Sequence, residues 1–226
     1  NIGEAKKEQN EAMFLVDRPG AQQSIVLAAN IAPAKNQKNE IAIESMNEII
    51  GGSFTSRVNM NLREDKGWAY GARTLILETK GPRLFIGYAT VQTNKTAESI
   101  IELKRELVEY LGENPASNEE LEKIKDNNTL SLPGRWETIA SIARDISQIS
   151  IYDLPDDYWK NYADNVRNLS LDHVIAVANN VIKPNNLTWV IVGDLKKIEE
   201  NVRNLEIGQI IILDSDGNQI KSKDNN

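Results

Sequence analysis

Arg63 and Tyr70 stand seven residues apart in the segment Gly51-Gly52-Ser53-Phe54-Thr55-Ser56-Arg57-Val58-Asn59-Met60-Asn61-Leu62-Arg63-Glu64-Asp65-Lys66-Gly67-Trp68-Ala69-Tyr70-Gly71. A guanidinium is a permanently charged planar fork of donors, and a phenol is a neutral donor on a short rigid arm. Together they can hold a carbonyl oxygen and favour negative charge developing on it. Neither accepts a proton from water at neutral pH, so the pair suits positioning and electrophilic assistance, not acid/base work. The segment reads as a helix closed by Gly67 and followed at once by a strand, which lets both side chains converge across one turn if that turn faces a cleft. Each also has a plainer reading. Arg63 beside Glu64 and Asp65 can be a solvated ion pair worth under about 1 kcal/mol, and Tyr70 a strand aromatic with its hydroxyl at the surface.

No other group of residues competes with this pair. The chain has one histidine and no cysteine. His173 reads as a first-turn helix residue with no second imidazole to share a metal ion, so it has no catalytic role. The run Asp214-Ser215-Asp216-Gly217-Asn218 resembles a calcium loop, but its glycine stands fourth and Asn225 occupies the closing Glu position, so it reads as a turn. Trp68, Trp136, Trp159 and Trp189 are accompanied by no basic interleaving of the kind that a base-stacking platform needs, and read as core or interface anchors.

The elements that position the pair follow from switches of the apolar period between two and 3.6. Met13 to Val16 and Ser24 to Ala29 read as strands around the turn Asp17-Arg18-Pro19-Gly20. A helix from about Asn39 to Ile50 ends at the Gly51-Gly52 pair, and the motif helix after it carries Phe54, Val58 and Leu62 as a core stripe. Tyr70 to Glu78 and Arg83 to Val91 read as a hairpin turning at Lys80-Gly81-Pro82. Ala97 to Leu111 is amphipathic, with Ile100, Leu103, Leu107, Val108 and Leu111 inside. Ser117-Asn118-Glu119-Glu120 has the form of a capping box opening a helix to about Leu130, and Pro133-Gly134 breaks it. Helices over Trp136 to Ile151 and Asp156 to Asn165 follow, and Ser170 caps another that runs to Ile182. Leu187 to Gly193 is an apolar strand suited to a sheet interior, and Ile207 to Leu213 an edge strand.

Composition bounds the partners. The 226 residues, 40% apolar, suffice for a large core in one domain or two small lobes. With 33 acidic against 26 basic residues the net charge is −7 and no basic cluster stands out, which argues against nucleic acid or an anionic membrane surface. No apolar run approaches the roughly 20 residues of a membrane span. Absence of cysteine excludes disulfides and thiol chemistry without choosing a compartment. The start Asn1-Ile2-Gly3-Glu4-Ala5-Lys6-Lys7 has neither an initiator Met nor an apolar signal core, and reads as a processed or excised piece of a longer protein.

The Gly51 to Gly71 block resembles the pattern by which the insulinase/pitrilysin-like zinc peptidases, the M16 group, are recognised in their non-catalytic half. Further landmarks agree over nearly the whole chain: Leu15-Val16-Asp17-Arg18-Pro19-Gly20-Ala21-Gln22-Gln23-Ser24, Leu132-Pro133-Gly134-Arg135-Trp136-Glu137-Thr138, and Asn186-Leu187-Thr188-Trp189-Val190-Ile191-Val192-Gly193-Asp194. The resemblance implies an α+β fold, an antiparallel sheet flanked by helices, of the metallohydrolase type shared by LuxS and mitochondrial processing peptidase. Residues 1–226 would be a single inactive-type domain, frayed at about 1–10 and 215–226.

That family holds zinc on an inverted His-x-x-Glu-His helix, where two imidazoles four residues apart grip one ion. This chain cannot build that site, so the resemblance places zinc and the general-base glutamate on a partner, a sister domain or subunit. Arg63 and Tyr70 then become substrate-binding residues, and the chain alone is expected to bind no metal and to be inactive. The implied substrates are peptides or small proteins, and export to the periplasm is implied by bacterial members of the family. Relatives also serve as architectural subunits, so a purely structural module is the alternative. The presence of both Arg63 and Tyr70 counts against it. A stand-alone enzyme has no nucleophile motif or phosphate loop to rest on.

Overall fold

The computed structural model describes residues 11–35 and 38–220. Strands β1 (Ala12–Asp17) and β2 (Gln23–Ala32) lead into helix α1 (Glu40–Asn47), which widens into a π-helical turn at Glu48–Gly52. Helix α2 (Arg57–Asn59) continues as a second π-helical turn, Met60–Asp65, and opens directly on β3 (Ala69–Ile76), β4 (Arg83–Gln92) and α3 (Thr96–Leu111). Helices α4 (Asn118–Leu130), α5 (Leu132–Arg135), α6 (Ile139–Ile151), α7 (Tyr158–Arg167) and α8 (Leu171–Val181) precede β5 (Thr188–Gly193), α9 (Leu195–Arg203) and β6 (Gln209–Leu213).

The strands form one six-stranded sheet in the order β3-β4-β2-β5-β1-β6. From β3 to β5 it is antiparallel, as expected. At β1 it departs from that expectation, because β1 runs parallel to both β5 and β6. The cause lies in the first turn. β5 enters between β1 and β2, so the turn at Pro19-Gly20 joins strands that do not pair. Asp194, just past β5, holds that turn by accepting from the Gly20 N–H (3.2 Å), while Asp17 accepts from the Leu195 N–H (3.1 Å).

One face of the sheet carries the core. Met13, Leu15, Val26, Ala28, Phe85, Ala89, Trp189 and Ile191 are fully buried against Ile100, Leu103 and Leu107 of α3, Val174 and Val177 of α8, and Ile198 and Val202 of α9. Period two in the strands and 3.6 in the helices dictate this single seam. Within it, Arg83 and Glu40 form a buried bidentate pair, both contacts 2.7 Å. A satellite cluster of Leu154, Tyr158, Tyr162 and Val166 binds α7 to Ile41 of α1.

Three local expectations change. Phe54 is not on the motif helix, which starts only after Ser56; it is 62% exposed, and the core stripe reduces to Val58 and Leu62. Val108 lies outside the core seam of α3. Helix α6 begins at Ile139, with Ile139, Ile142 and Ile146 exposed and Asp145 its one fully buried residue. Asp145 accepts from Arg135 (2.7 and 2.8 Å) and Trp136 (2.9 Å); burial raises its pKa, but these donors outweigh burial and leave it below the usual carboxylate range. Of the ends expected to fray, 1–10 and 221–226 lie outside the described residues. Residues 215–220 close back on β6: Asp214 accepts from the Asp216 and Asn218 N–H groups (2.9 and 2.8 Å), and the Ile220 N–H donates to Ile212 (2.8 Å).

Candidate functional site

Tyr70 owes its position to a register fault. Ala69 pairs with Val91 and Gly71 with Thr90, so Tyr70 is an extra residue with no partner opposite it. Such a β-bulge bends the strand and re-aims a side chain. Here it turns the phenol outward, leaving Tyr70 83% exposed at the mouth of a cavity of roughly 470 Å3.

The cavity lies between the first π-helical turn and the start of the β3–β4 hairpin, where Gly51, Phe54, Asn59, Tyr70, Arg73 and Tyr88 line it. Both walls depend on close backbone contact. A Cβ at Gly51 would collide with the backbone nitrogen and Oγ1 of Thr74, so only glycine lets this turn lie on the strand. Asn59, buried at the end of α2, accepts from the Ala72 N–H (3.1 Å) and donates to the Phe54 carbonyl (2.7 Å), tying loop to strand. Thr74 is held in turn by Asn47, whose Oδ1 accepts from its hydroxyl (2.9 Å). The outer edge of β3 is therefore occupied by this chain's own polar groups over Ala72 and Thr74.

Arg63 stands in the second π-helical turn, whose end is set by Gly67 at φ 64° and by the Trp68 N–H donating back to Leu62 (3.0 Å). Its guanidinium lies 4.7 Å from the centre of the Phe54 ring, and Nε is 3.4 Å from Glu64. Of the two residues expected to converge, Tyr70 lines the cavity and Arg63 does not; Arg63 reaches it only through the Phe54 ring, which its guanidinium contacts and which lines the cavity with Tyr70. His173, given no role, contacts Asn39 through Nε2 (3.1 Å).

From the sequence Phe54 reads as a core residue, and Asn59, Arg73 and Tyr88 carry no assigned role. One signal was available, since counting back equally from the Lys80-Gly81 turn pairs Arg73 with Tyr88 across the hairpin, as observed. Arg73 lies 5.3 Å over that ring, and the Tyr88 hydroxyl is fixed by Thr90 (2.8 Å).

The sheet extends this site. Strand residues pointing away from the helices form a second face, and Phe14, Val16, Ile25, Leu27, Ile31, Ile86, Val190 and Val192 on it belong to neither buried cluster. Register lines up Arg73, Tyr88, Leu27, Val190, Phe14 and Ile211 in one row across all six strands. An apolar expanse of this kind marks a surface made to be covered.

A smaller cavity of roughly 260 Å3 adjoins through Gly52, with Glu40, Glu44, Glu48, Glu78 and Arg83 around it. Burial pushes Glu44 up to about 7, helped by Glu40 and opposed by Lys35. Among the described residues no group of three or more His, Cys, Asp or Glu side chains is placed to hold a metal ion.

The family model of the peptidase M16 inactive domain matches residues 3–128. Among solved structures, the chain is similar to the peptidase M16 inactive domain from Pseudomonas fluorescens (21% identity, TM-score 0.75), covering 84% of this chain and 46% of that one. It is also similar to a protease from Helicobacter pylori (21%, TM-score 0.73; 82% and 45%) and to the periplasmic protease PqqL from Escherichia coli (16%, TM-score 0.69; 82% and 21%). At these identities the likeness is one of fold, and the chain spans less than half the length of each of the three structures. No curated protein sequence matches it.

Proposed function

This chain belongs to the peptidase M16 inactive-domain family, and from that premise we propose that it is the substrate-binding, zinc-free half of a zinc metallopeptidase. Its sister half, fused or separate, bears the His-x-x-Glu-His zinc site, and the two enclose a chamber in which peptides or small proteins are cut. The observation that carries this reading is the apolar face of the sheet, which no helix among the described residues covers, with the Tyr70 cavity at its edge. One wall cannot enclose a peptide, whereas two such walls exclude water and strengthen every electrostatic contact inside.

In the chamber, zinc on the partner supplies the activated water. Tyr70 donates to the substrate carbonyl, and Arg63 adds positive charge from behind Phe54. Because Asn59 and Asn47 occupy the outer edge of β3 at Ala72 and Thr74, the proposal assigns substrate to the sheet face. An architectural subunit would have no use for a bulge that presents a phenol at the mouth of a cavity. Periplasmic residence is part of the proposal; no helix among the described residues is long and apolar enough to cross a membrane.

Mixing the chain with its zinc-bearing half tests the reading. Peptidase activity is expected only from the combination, with zinc found only in the other half. Full activity of this chain alone, or one tightly held zinc per chain after dialysis, contradicts it.

A further inference from the structure

The outward face of the sheet comprises Ala12, Phe14 and Val16 of β1, Gln23, Ile25, Leu27, Ala29 and Ile31 of β2, Gly71, Arg73 and Leu75 of β3, and their register partners on β4, β5 and β6. Among all these positions Arg73 bears the only charge. In a chain of net charge −7, the one charged group on this wall is a cation.

Arg73 is exposed, and no carboxylate among the described residues pairs with it. Among the described residues its guanidinium lies over the Tyr88 ring, whose hydroxyl Thr90 holds. A guanidinium held 5.3 Å from the centre of a fixed ring is kept in place by cation–π attraction while its N–H groups stay open to a ligand. No acidic side chain lines the cavity it shares with Tyr70.

We infer that Arg73 is a specificity-determining residue that selects substrates bearing a carboxylate about three residues from the carbonyl held at Tyr70, on an otherwise apolar stretch. The spacing follows from the strand: three positions span at most about 10 Å of extended chain, and the bulge shortens this slightly. Both an acidic side chain and a chain-terminal carboxylate offer this chemistry, and either accepts two parallel hydrogen bonds from the fork. The inference rests on the reading of this face as the substrate wall.

Matched apolar peptides differing only at that position (Glu, Gln or Lys), plus a Gln-position peptide ending there as free acid or amide, distinguish the sources. Affinity for this chain is read by fluorescence anisotropy, and kcat/KM with the zinc-bearing half present. The Glu peptide is expected to exceed the Gln peptide about tenfold at low salt, in line with a charge-assisted pair in a partly dry site, with Lys weakest. In Arg73→Gln the Glu/Gln ratio should fall to near one, and in Arg73→Glu the Lys peptide should lead. If the free acid exceeds the amide while Glu and Gln are equal, the carboxylate recognised is the chain terminus. Equal values for all the pairs in the natural chain, or a Glu preference that survives Arg73→Gln, overturn the inference. Tyr70→Phe separates the two readings: it should lower turnover of every peptide while preserving the ratio. A lowered turnover with no charge preference sinks only the role of Arg73, and a ratio set by Arg73 with turnover indifferent to Tyr70 sinks only the role of Tyr70.

Discussion

Asn59 shows how one side chain can tie two walls of a site together. It satisfies a buried strand N–H and the Phe54 carbonyl at once. Asn59→Ala strands that N–H and should cost about 1–3 kcal/mol in urea unfolding, while freeing the loop that carries Phe54. A cost of a few tenths would mean that the tie is dispensable. Arg63 should behave in the opposite way. Its half-exposed pair with Glu64 contributes under about 1 kcal/mol, so Arg63→Lys should barely move the melting temperature. Loss of the planar fork over Phe54 should nonetheless lower kcat/KM in the complete peptidase. Unchanged kcat/KM would reduce Arg63 to a surface ion pair.

At the scale of elements, the π-helical turn Glu48–Gly52 and strand β3 form one unit, and its packing gives two expectations. Gly51→Ala places a methyl group into Thr74 and should destabilise by about 1–3 kcal/mol; a neutral effect on the urea midpoint would show that the turn can shift. Glu44, on the preceding helix, keeps its proton in the folded chain up to about pH 7, above its unfolded value. The native state therefore binds more protons between those two values, and this group subtracts stability as pH rises through them. Glu44→Gln should raise the melting temperature at pH 8 and leave it little changed at pH 4, and an equal offset at both values would contradict the linkage. Most element boundaries were legible because each rests on a local signal: Ser117 caps α4, Ser170 caps α8, and Gly67 ends the motif helix. Phe54 was misplaced because a turn separates it from the helix it seemed to continue. The Tyr70 bulge was hidden because it exists only in the pairing with β4, and the parallel partners of β1 because β5 arrives some 170 residues later. The same limit applied to the site: Arg63 and Tyr70 stood out by type and spacing, whereas Asn59 acquires meaning only from its contacts and Arg73 from its pairing with Tyr88 across the hairpin.

The whole molecule is built on an asymmetric sheet. One face is filled by helices, and the other is apolar, open and marked at one corner by Tyr70, Phe54 and Arg73. On the proposed reading, such a chain is one wall of a chamber whose zinc chemistry the sister half supplies. The most direct test is kcat/KM for Tyr70→Phe in the peptidase reconstituted with its zinc-bearing half, with melting temperature and zinc content measured on the same samples. Because Tyr70 is 83% exposed and the ring is kept, fold and metal should not change, while loss of a donor to the developing oxyanion should lower kcat by up to about 10²–10³-fold. Turnover equal to that of the natural protein, or a loss matched by a fall in melting temperature, would contradict a substrate-binding role and leave the chain an architectural subunit.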